Sequence, residues 1–376
     1  MSGEVQTTRA SLAALSQWQL IRLGFVRHRL AVVALFVLAF LYFVAAFAEF
    51  FAPYTSQWRD LDYPYCPPQL VRFSVSRGLH VYAMTCHVDP ITFRKTYMED
   101  VDDPIGLSFF VKGEPYKLWG LIPMRRHFLG VDRQTTRDAR TAGAPTFYVL
   151  GADMYGRDIL SRVIYGSRIS LSVGLIGISF IFILGMTIGG ISGYVGGATD
   201  TVIQRGIEII NSLPQLPMWL ALAAVMPIDW PPLRIYFAIT IVLSMLGWTR
   251  LARVVRGKIL SLREEDYAMA ARLIGASHKR ILFRHLLPGF TSHIIVALTL
   301  SIPGMILGET SLSFLGLGLR HPVVSWGVML QDCMDMQAVR YYPWLLLPVM
   351  FIVVTVLCFN FVGDGLRDAA DPYGAR

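Results

Sequence analysis

Long apolar stretches alternate with charged segments along the whole chain. Six stretches contain no Asp, Glu, Lys or Arg, and most approach the ~20 residues that a membrane-spanning helix needs. The pattern therefore predicts about six transmembrane helices, the fourth of them short. In chain order the stretches are Leu30–Ala48, Ile169–Thr199, Ile209–Ile228, Ile235–Thr249, Leu286–Gly308 and Tyr341–Gly363.

The composition supports a membrane location. Of the 376 residues, 54% are hydrophobic and 16% are charged, and the mean hydropathy is +0.49. Soluble domains carry about 25% charged residues, so a soluble fold of this length would lack the charge to cover its surface. The net charge of +8 is not gathered on an aromatic-rich basic face, and this argues against nucleic acid as a partner.

Basic residues predict the orientation in the membrane. The segment 250–288 contains nine Lys or Arg residues against three acidic ones, and loops with such an excess lie on the cytoplasmic side. Arg22, Arg27 and Arg29 place the N-terminus on the same side. The predicted organisation is a cytoplasmic N-terminal segment 1–29, a first transmembrane helix 30–51, a periplasmic insertion with an interfacial helix 52–168, a five-helix core 169–364 with a cytoplasmic loop 251–288, and a cytoplasmic tail 365–376.

The first apolar stretch has an alternative interpretation as a cleavable signal peptide. Basic residues precede it, and Ala46-Phe47-Ala48 offers small residues for cleavage. Signal peptides have apolar regions of about 7–15 residues, and Leu30–Ala48 is longer. We therefore expect an uncleaved membrane anchor.

The basic cytoplasmic loop predicts two short helices joined by a sharp corner. Asp266 is a good N-cap for the first helix. The apolar stripe of that helix consists of Tyr267, Ala270, Ala271 and Ile274. Gly275 supplies the left-handed conformation that ends many helices, and Ser277 can cap a second helix that Pro288 stops. Adjacent alanines leave a shallow surface, which suits docking of another protein better than binding of a ligand.

This loop resembles the coupling loop of bacterial ABC-importer permeases, whose motif is Glu-Ala-Ala, three residues, Gly, nine residues and Ile-x-Leu-Pro. Met269-Ala270-Ala271, Gly275 and His285-Leu286-Leu287-Pro288 stand at those spacings. Met269 and His285 replace the motif's Glu and Ile, which removes a salt-bridge partner but not the docking surface. The resemblance implies an ATPase-coupling loop whose residues are Asp266, Tyr267, Met269, Ala270, Ala271, Gly275, His285, Leu287 and Pro288.

Three further segments, 150–171, 309–318 and 363–372, are similar to the dipeptide/oligopeptide branch of these permeases, and the last to its C-type subunit. The resemblance covers about residues 145–376 and the first span, with Ala152 where the branch usually has Thr. It implies an all-α polytopic membrane helix bundle of the type I ABC importer kind. Residues 55–140 are a long periplasmic insertion with β-leaning runs at 71–75 and 80–84.

The segment before the second span predicts an interfacial helix. Apolar Ile159 and Val163 would face the bilayer side of such a helix. The charged residues that we expect to remain in water are Arg157, Asp158, Arg162 and Arg168.

Glycines and prolines within the apolar stretches predict how the helices pack. Gly185, Gly189 and Gly193 repeat every four residues, and this spacing lets two helices approach closely. Kinks are expected at Pro214, Pro217 and Pro303.

Four acidic residues fall at the ends of predicted spans: Glu49, Glu208, Glu309 and Asp364. We expect them to lie at the membrane interface or to pair with Arg205, Arg234 or Arg367, because charge is costly inside the bilayer. Their end positions argue against a proton- or sodium-coupled carrier, which needs ionisable groups deep in the bundle.

Cys66 and Cys86 both lie in the predicted periplasmic insertion. An oxidising compartment permits a disulfide between them, and two unpaired, packed thiols are the alternative. No Cys and His spacing indicates a metal site.

The sequence contains no phosphate-binding loop, since Gly257-Lys258 is followed by Ile259. We therefore expect no ATPase and no enzyme in this chain, no cofactor bound by it, and ATP and Mg used by partner subunits. The resemblance implies a sister permease, two ABC ATPase subunits and a periplasmic binding protein, in a bacterial inner membrane with both termini cytoplasmic. Peptides are the favoured substrate, with oligosaccharides, nickel or opines as alternatives. An ATP-independent secondary carrier and a plain membrane anchor are the rival functions.

Overall fold

The computed structural model describes residues 17–91, 95–131, 146–227, 229–277, 280–286 and 290–370. Within these ranges, five helical segments are long and apolar enough to cross a membrane: Arg29–Ala46, Ile159–Val195, Pro232–Leu262, Thr291–Phe314 and Pro343–Ala370. The α-helices are α1 Gln17–Arg27, α2 Arg29–Ala46, α3 Ala48–Phe51, α4 Ile159–Val195, α5 Gly197–Ser212, α6 Gln215–Ala224, α7 Pro232–Leu262, α8 Asp266–Leu273, α9 Thr291–Thr299, α10 Ile302–Phe314, α11 Trp326–Met329, α12 Met336–Tyr341 and α13 Leu347–Ala370.

The third predicted span differs from the other five. In place of one long helix over Ile209–Ile228, the chain forms the amphipathic α5 and the ten-residue apolar α6. The two helices are separated by Leu213 and Pro214, which are both extended. Proline has no amide hydrogen to continue a helix and disfavours helical geometry in the residue before it, so the predicted kink at Pro214 is a complete break.

The insertion contains a four-stranded antiparallel sheet in the order β1-β2-β3-β4, so the all-α description holds for the membrane part alone. The strands are β1 Arg72–Ser74, β2 Gly78–Val88, β3 Lys95–Leu118 and β4 Ile122–Val131. The long β3 pairs with β2 over its first half and with β4 over its second half. A small core of Val81, Ile105, Leu107 and Phe147 holds the sheet to the chain that returns to the membrane.

The predicted interfacial helix is the beginning of α4 and not a separate element. Asp158 caps α4, since its Oδ2 accepts the Ser161 amide at 2.7 Å, and the helix then continues for 37 residues. The expectation that Asp158 and Arg162 lie in water is wrong, because both are only 2% exposed. Arg162 is tolerated there because it donates to the buried carboxylate of Asp153. Burial raises the pKa of the Asp158 carboxyl to about 6.

The acidic residues at the span ends have varied surroundings. Glu49 pairs with Arg168 at 2.6 Å, a partner outside the predicted set, whereas Glu208 pairs with the predicted Arg205 at 2.9 Å. Glu309 is fully buried inside α10 and is not at an interface. Its two carboxylate oxygens accept hydrogen bonds from three serines, Ser170, Ser313 and Ser325, so hydroxyl groups take the place of a cation.

Cys66 and Cys86 are both free thiols in this structure, which corresponds to the second of the two alternatives. Cys66 is fully buried in a cluster with Met84 and Tyr148, and its thiol donates to the Pro67 carbonyl at 3.7 Å. Burial raises the pKa of this thiol. Packing therefore accounts for Cys66 without a disulfide.

The glycine row lies where α4 meets α7. A Cβ added at Gly185 would come within 2.7 Å of Leu251, one at Gly189 within 2.5 Å of the Ala252 carbonyl oxygen, and one at Gly193 within 2.9 Å of the Arg256 carbonyl oxygen. Two of these three neighbours are backbone atoms, which cannot rotate away as a side chain can. The absence of Cβ atoms is therefore what allows α4 and α7 to pack at this distance.

Substitution of Gly189 by alanine should destabilise the protein. The new methyl group must push α4 away from the backbone of α7, which we expect to cost about 1–3 kcal/mol. Gly257→Ala is the matched control, because an added Cβ there meets nothing within 4 Å and alanine favours the helix. Thermal unfolding of the purified protein in detergent should show a lower Tm for Gly189→Ala alone. Equal Tm values for the two variants would contradict the close packing.

Candidate functional site: an apolar elbow and a cavity in the helix bundle

The elbow consists of α8, Gly275 and the turn of π-helix Ile281–Leu286. The helix α8 starts one residue earlier than expected, since Glu265 occupies the N-cap position and Asp266 is the first helical residue. Gly275 has φ +79°. The amide of Gly275 donates to the Arg272 carbonyl and that of Ala276 to the Ala271 carbonyl, both at 3.1 Å. This pair of bonds is the Schellman ending, which requires a left-handed residue at the position of Gly275.

One face of the elbow is part of the protein core. Ala268 and Ala271 are 2% and 5% exposed. With Ile281 and Leu286 they belong to the same buried cluster as Ile259 of α7. Because alanine is small, this face of α8 fits closely into that cluster, where its neighbour is the turn Ile281–Leu286.

The opposite face of the elbow is apolar and open to solvent. Leu273 is 88% exposed and Ile274 is 85% exposed, while Tyr267 and Met269 are each more than two-fifths exposed. The predicted stripe is therefore divided, with Ala271 inside and Tyr267 and Ile274 outside. Large apolar side chains grouped on an exposed surface mark a site of protein contact.

Charged residues hold the helices around the elbow. Arg256 of α7 makes two hydrogen bonds of 2.5 Å to the carboxylate of Asp200 on α5. Arg263 donates to the Gly193 carbonyl at 3.2 Å. These bonds join α4, α5 and α7 next to the elbow, so a displacement of α8 would reach all three helices.

A cavity of about 480 Å³ lies in the bundle between α4, α6, α7 and α10. Its wall combines apolar side chains with the polar residues Asn211, Gln215, Thr249, Arg250 and Ser301. Trp219 also lines it, and the indole N–H of this residue has no acceptor among the described residues. A wall with several polar side chains suits a hydrated solute better than an apolar solute.

The structure describes seven of the nine predicted elbow residues. Asp266, Tyr267, Met269, Ala270, Ala271, Gly275 and the backbone of His285 come together there. Leu287 and Pro288 lie outside the described residues. The sequence interpretation missed Ala268, Leu273 and the Arg256–Asp200 pair. The i, i+3 spacing of Ala268 and Ala271 could have indicated the buried face, whereas nothing local links Arg256 to Asp200.

These features define a class of protein: a polytopic membrane protein with a central cavity and an apolar docking surface on a basic loop. The chain belongs to the family of binding-protein-dependent transport system inner membrane components, whose model matches residues 185–373. A second model, the N-terminal transmembrane domain of oligopeptide transport permease C, matches residues 16–68. Both matches confirm the predicted family, and they place the protein in a bacterial inner membrane as a multi-pass component.

Curated relatives agree with the family models. The oligopeptide transport system permease protein OppC of Bacillus subtilis is 41% identical over 59% of this chain and 70% of its own length. The OppC protein of Escherichia coli is 41% identical over 67% of this chain and 81% of its own length. Among solved structures, the inward-facing MetNI methionine ABC transporter aligns over 56% of this chain and 97% of that chain, at 16% identity and a TM-score of 0.43.

Replacement of Gly275 by valine should loosen the elbow. A β-branched residue in the left-handed region costs about 1–2 kcal/mol. A Cβ added at position 275 meets nothing within 4 Å, so the backbone conformation is the only source of this cost. Gly275→Asn is the control, because asparagine tolerates this conformation. Hydrogen exchange of the amides of 270–276 should become faster in Gly275→Val only. Equal exchange in both variants would show that φ at this position does not govern the elbow.

Proposed function

We propose that this chain is the membrane-spanning permease subunit of an ATP-driven peptide importer. The observation that carries the proposal is the exposed apolar face of the elbow, with Leu273 and Ile274 each more than four-fifths exposed, on a chain of a binding-protein-dependent transport family. An exposed face of this kind on the basic side of a membrane protein requires a cytoplasmic protein to cover it. ABC ATPase subunits fit that role, because the family's transport depends on a separate source of energy.

Force on the elbow would reach the cavity through packed helices. The ATPases would press on the exposed face of α8, and Ala268 and Ala271 would pass the load to the buried cluster that contains Ile259 of α7. The glycine contacts between α7 and α4 make these two helices move together. Since α7 contributes Thr249 and Arg250 to the cavity wall, the same movement changes the shape of the cavity. This is how ATP hydrolysis outside the chain would open or close a path within it.

The rest of the machinery follows from this assignment. The chain binds no cofactor and has no ATPase of its own, and ATP and Mg are used by two partner subunits. A sister permease supplies the other half of the path, and a periplasmic binding protein delivers the solute. Both termini are cytoplasmic, with the segment α5–α6 completing a sixth crossing between α4 and α7.

Peptides are the proposed substrate class. The relatives carry the names of oligopeptide and dipeptide transport system permease proteins, which favours peptides over oligosaccharides, nickel or opines. The polar side chains of the cavity wall, Asn211, Gln215 and Thr249 among them, can form hydrogen bonds with the carbonyl and amide groups of a peptide backbone.

Negative charges introduced on the exposed apolar face of the elbow should prevent the ATPases from docking. In the double variant Leu273→Asp with Ile274→Asp, both ATPases should be lost when the permease is purified by affinity from the membrane, because a carboxylate cannot enter an apolar interface without a partner. The control Leu273→Met with Ile274→Leu keeps the surface apolar and should retain them. Both side chains are exposed, so the Tm of the permease should not change. Full ATPase recovery with the aspartate variant would contradict docking at this face.

Reconstitution tests the energy source and the substrate. Proteoliposomes with both permeases, the ATPases and the binding protein should take up a labelled tripeptide when ATP is supplied. Liposomes with this chain alone, under a proton or sodium gradient, should take up none. Uptake driven by the ion gradient alone would identify a secondary carrier, and ATP-driven uptake of another solute with no peptide uptake would refute the peptide assignment.

A further inference from the structure

The hairpin formed by β3 and β4 ends in an apolar tip that is open to solvent. Leu121 is 79% exposed, Trp119 is 52% exposed and Ile122 is 49% exposed. No charged residue occurs between Lys117 and Arg125. Apolar side chains grouped in this way at the end of a hairpin call for a covering surface.

The turn at the tip holds Trp119 in a left-handed backbone conformation, which is unfavourable for a residue with a large side chain. Trp119 and Gly120 have φ values of 52° and 75°, and the Leu121 amide donates to the Leu118 carbonyl at 3.0 Å. Two successive positive φ values are what a type I′ turn requires, and the first central position of such turns usually holds asparagine, aspartate or glycine. A tryptophan there costs about 1–2 kcal/mol, and strain of this kind is found at functional positions.

The tip is attached to the end of the first transmembrane helix. The indole Nε1 of Trp119 donates to the Ala46 carbonyl at 2.7 Å, and its ring lies 5.3 Å from that of Phe47. The helix α2 has 18 residues, which corresponds to about 27 Å at 1.5 Å per residue. The hydrocarbon core of a bilayer is about 30 Å thick, so Ala46 lies at its edge.

Aromatic contacts give the direction of the hairpin. Phe110 and Phe128, which are further from the tip than Trp119, have ring centroids 6.0 Å and 6.1 Å from that of Phe50. Phe50 follows Ala46 along the chain and lies further from the hydrocarbon. Because the tip contacts Ala46 and the middle of the hairpin contacts Phe50, the tip points towards the bilayer.

The charges on the hairpin fit a lipid surface. Four exposed basic residues lie behind the apolar tip, and Glu114 is the one acidic residue in 107–131. The basic residues are Lys112, Lys117, Arg125 and Arg126. An apolar tip with tryptophan, followed by basic side chains at the height of the phosphates, is the arrangement by which proteins lie in a membrane interface.

We propose that the tip 118–122 inserts into the leaflet on the side of the insertion and forms a second membrane anchor. The occupant of this surface is the lipid bilayer, because the bond to Ala46 fixes the tip at the depth of the hydrocarbon edge. The anchor holds the sheet of the insertion at the membrane. The inference does not depend on the transported solute or on the ATPase partners.

Fluorescence quenching at Leu121 tests the proposal. A genetically encoded fluorescent amino acid replaces Leu121 in the full chain, in nanodiscs of phosphatidylethanolamine and phosphatidylglycerol with nitroxide-labelled lipids. Ile91 is the matched control, because it is an exposed apolar residue (85%) beyond the opposite end of β3. We expect position 121 to lose most of its emission to nitroxide lipids and to resist aqueous iodide, and position 91 to show the reverse.

A second variant separates anchoring from folding. Trp119→Asn creates the Asn-Gly pair that type I′ turns favour, so the hairpin keeps its turn while the indole contact to Ala46 is lost. Lipid quenching at position 121 should then fall and iodide quenching should rise, with no loss of Tm. Lipid quenching no stronger at 121 than at 91 would overturn the proposal. Shielding of 121 from both quenchers would also overturn it, since a protein would then cover the tip, and unchanged lipid quenching in Trp119→Asn would remove Trp119 as the anchor.

Discussion

Direct contact between the backbones of α4 and α7 determines the position of most other elements. It exists because three glycines spaced four residues apart face Leu251, Ala252 and Arg256. A membrane supplies no hydrophobic force between helices, so close packing must provide the attraction that water provides in a soluble core. The elbow depends on this contact because α7 leads directly into α8. The wall of the cavity depends on it because α4 and α7 form two of its sides.

Buried polar groups give the bundle its second constraint. Glu309 in α10 has three serine donors that come from α4, from α10 itself and from the residue before α11. Ser170 also accepts the amide of Trp326 at 3.1 Å, so one network joins three parts of the chain. An unsatisfied polar group costs several kcal/mol in hydrocarbon. The network therefore specifies which helices meet, and a different arrangement would leave the glutamate without partners.

The sequence predicted those features that depend on local pattern. The length of the apolar stretches identified the five long spans of the described residues. Residue spacing identified the elbow, and the left-handed conformation of Gly275 followed from its place at a helix end. Features that depend on distant partners were missed. No sequence pattern indicates that Arg162 pairs with Asp153 or that Arg168 pairs with Glu49. For this reason Arg162 was expected in water. The sheet was visible only as β-leaning runs, because the register of β3 with two neighbours is decided by packing against Phe147 and the other core residues.

The helix breaks and the cavity occur together, and membrane physics explains why. Regular helix is interrupted at Leu213–Pro214, where the backbone is extended, and again at Leu300–Ser301, where the backbone angles stay helical but α9 ends and α10 begins. Irregular backbone at membrane depth is tolerated only where protein covers it or where it lines a polar space. Leu213 and Ser301 both line the cavity of about 480 Å³, which places the free backbone groups beside a space that can hold water. The α4–α7 contact is continuous and stiff, whereas these two breaks are the points at which neighbouring helices can change direction. A displacement of the elbow would therefore move α7 as a rigid helix. The neighbouring helices would change direction at the two interruptions, next to the cavity.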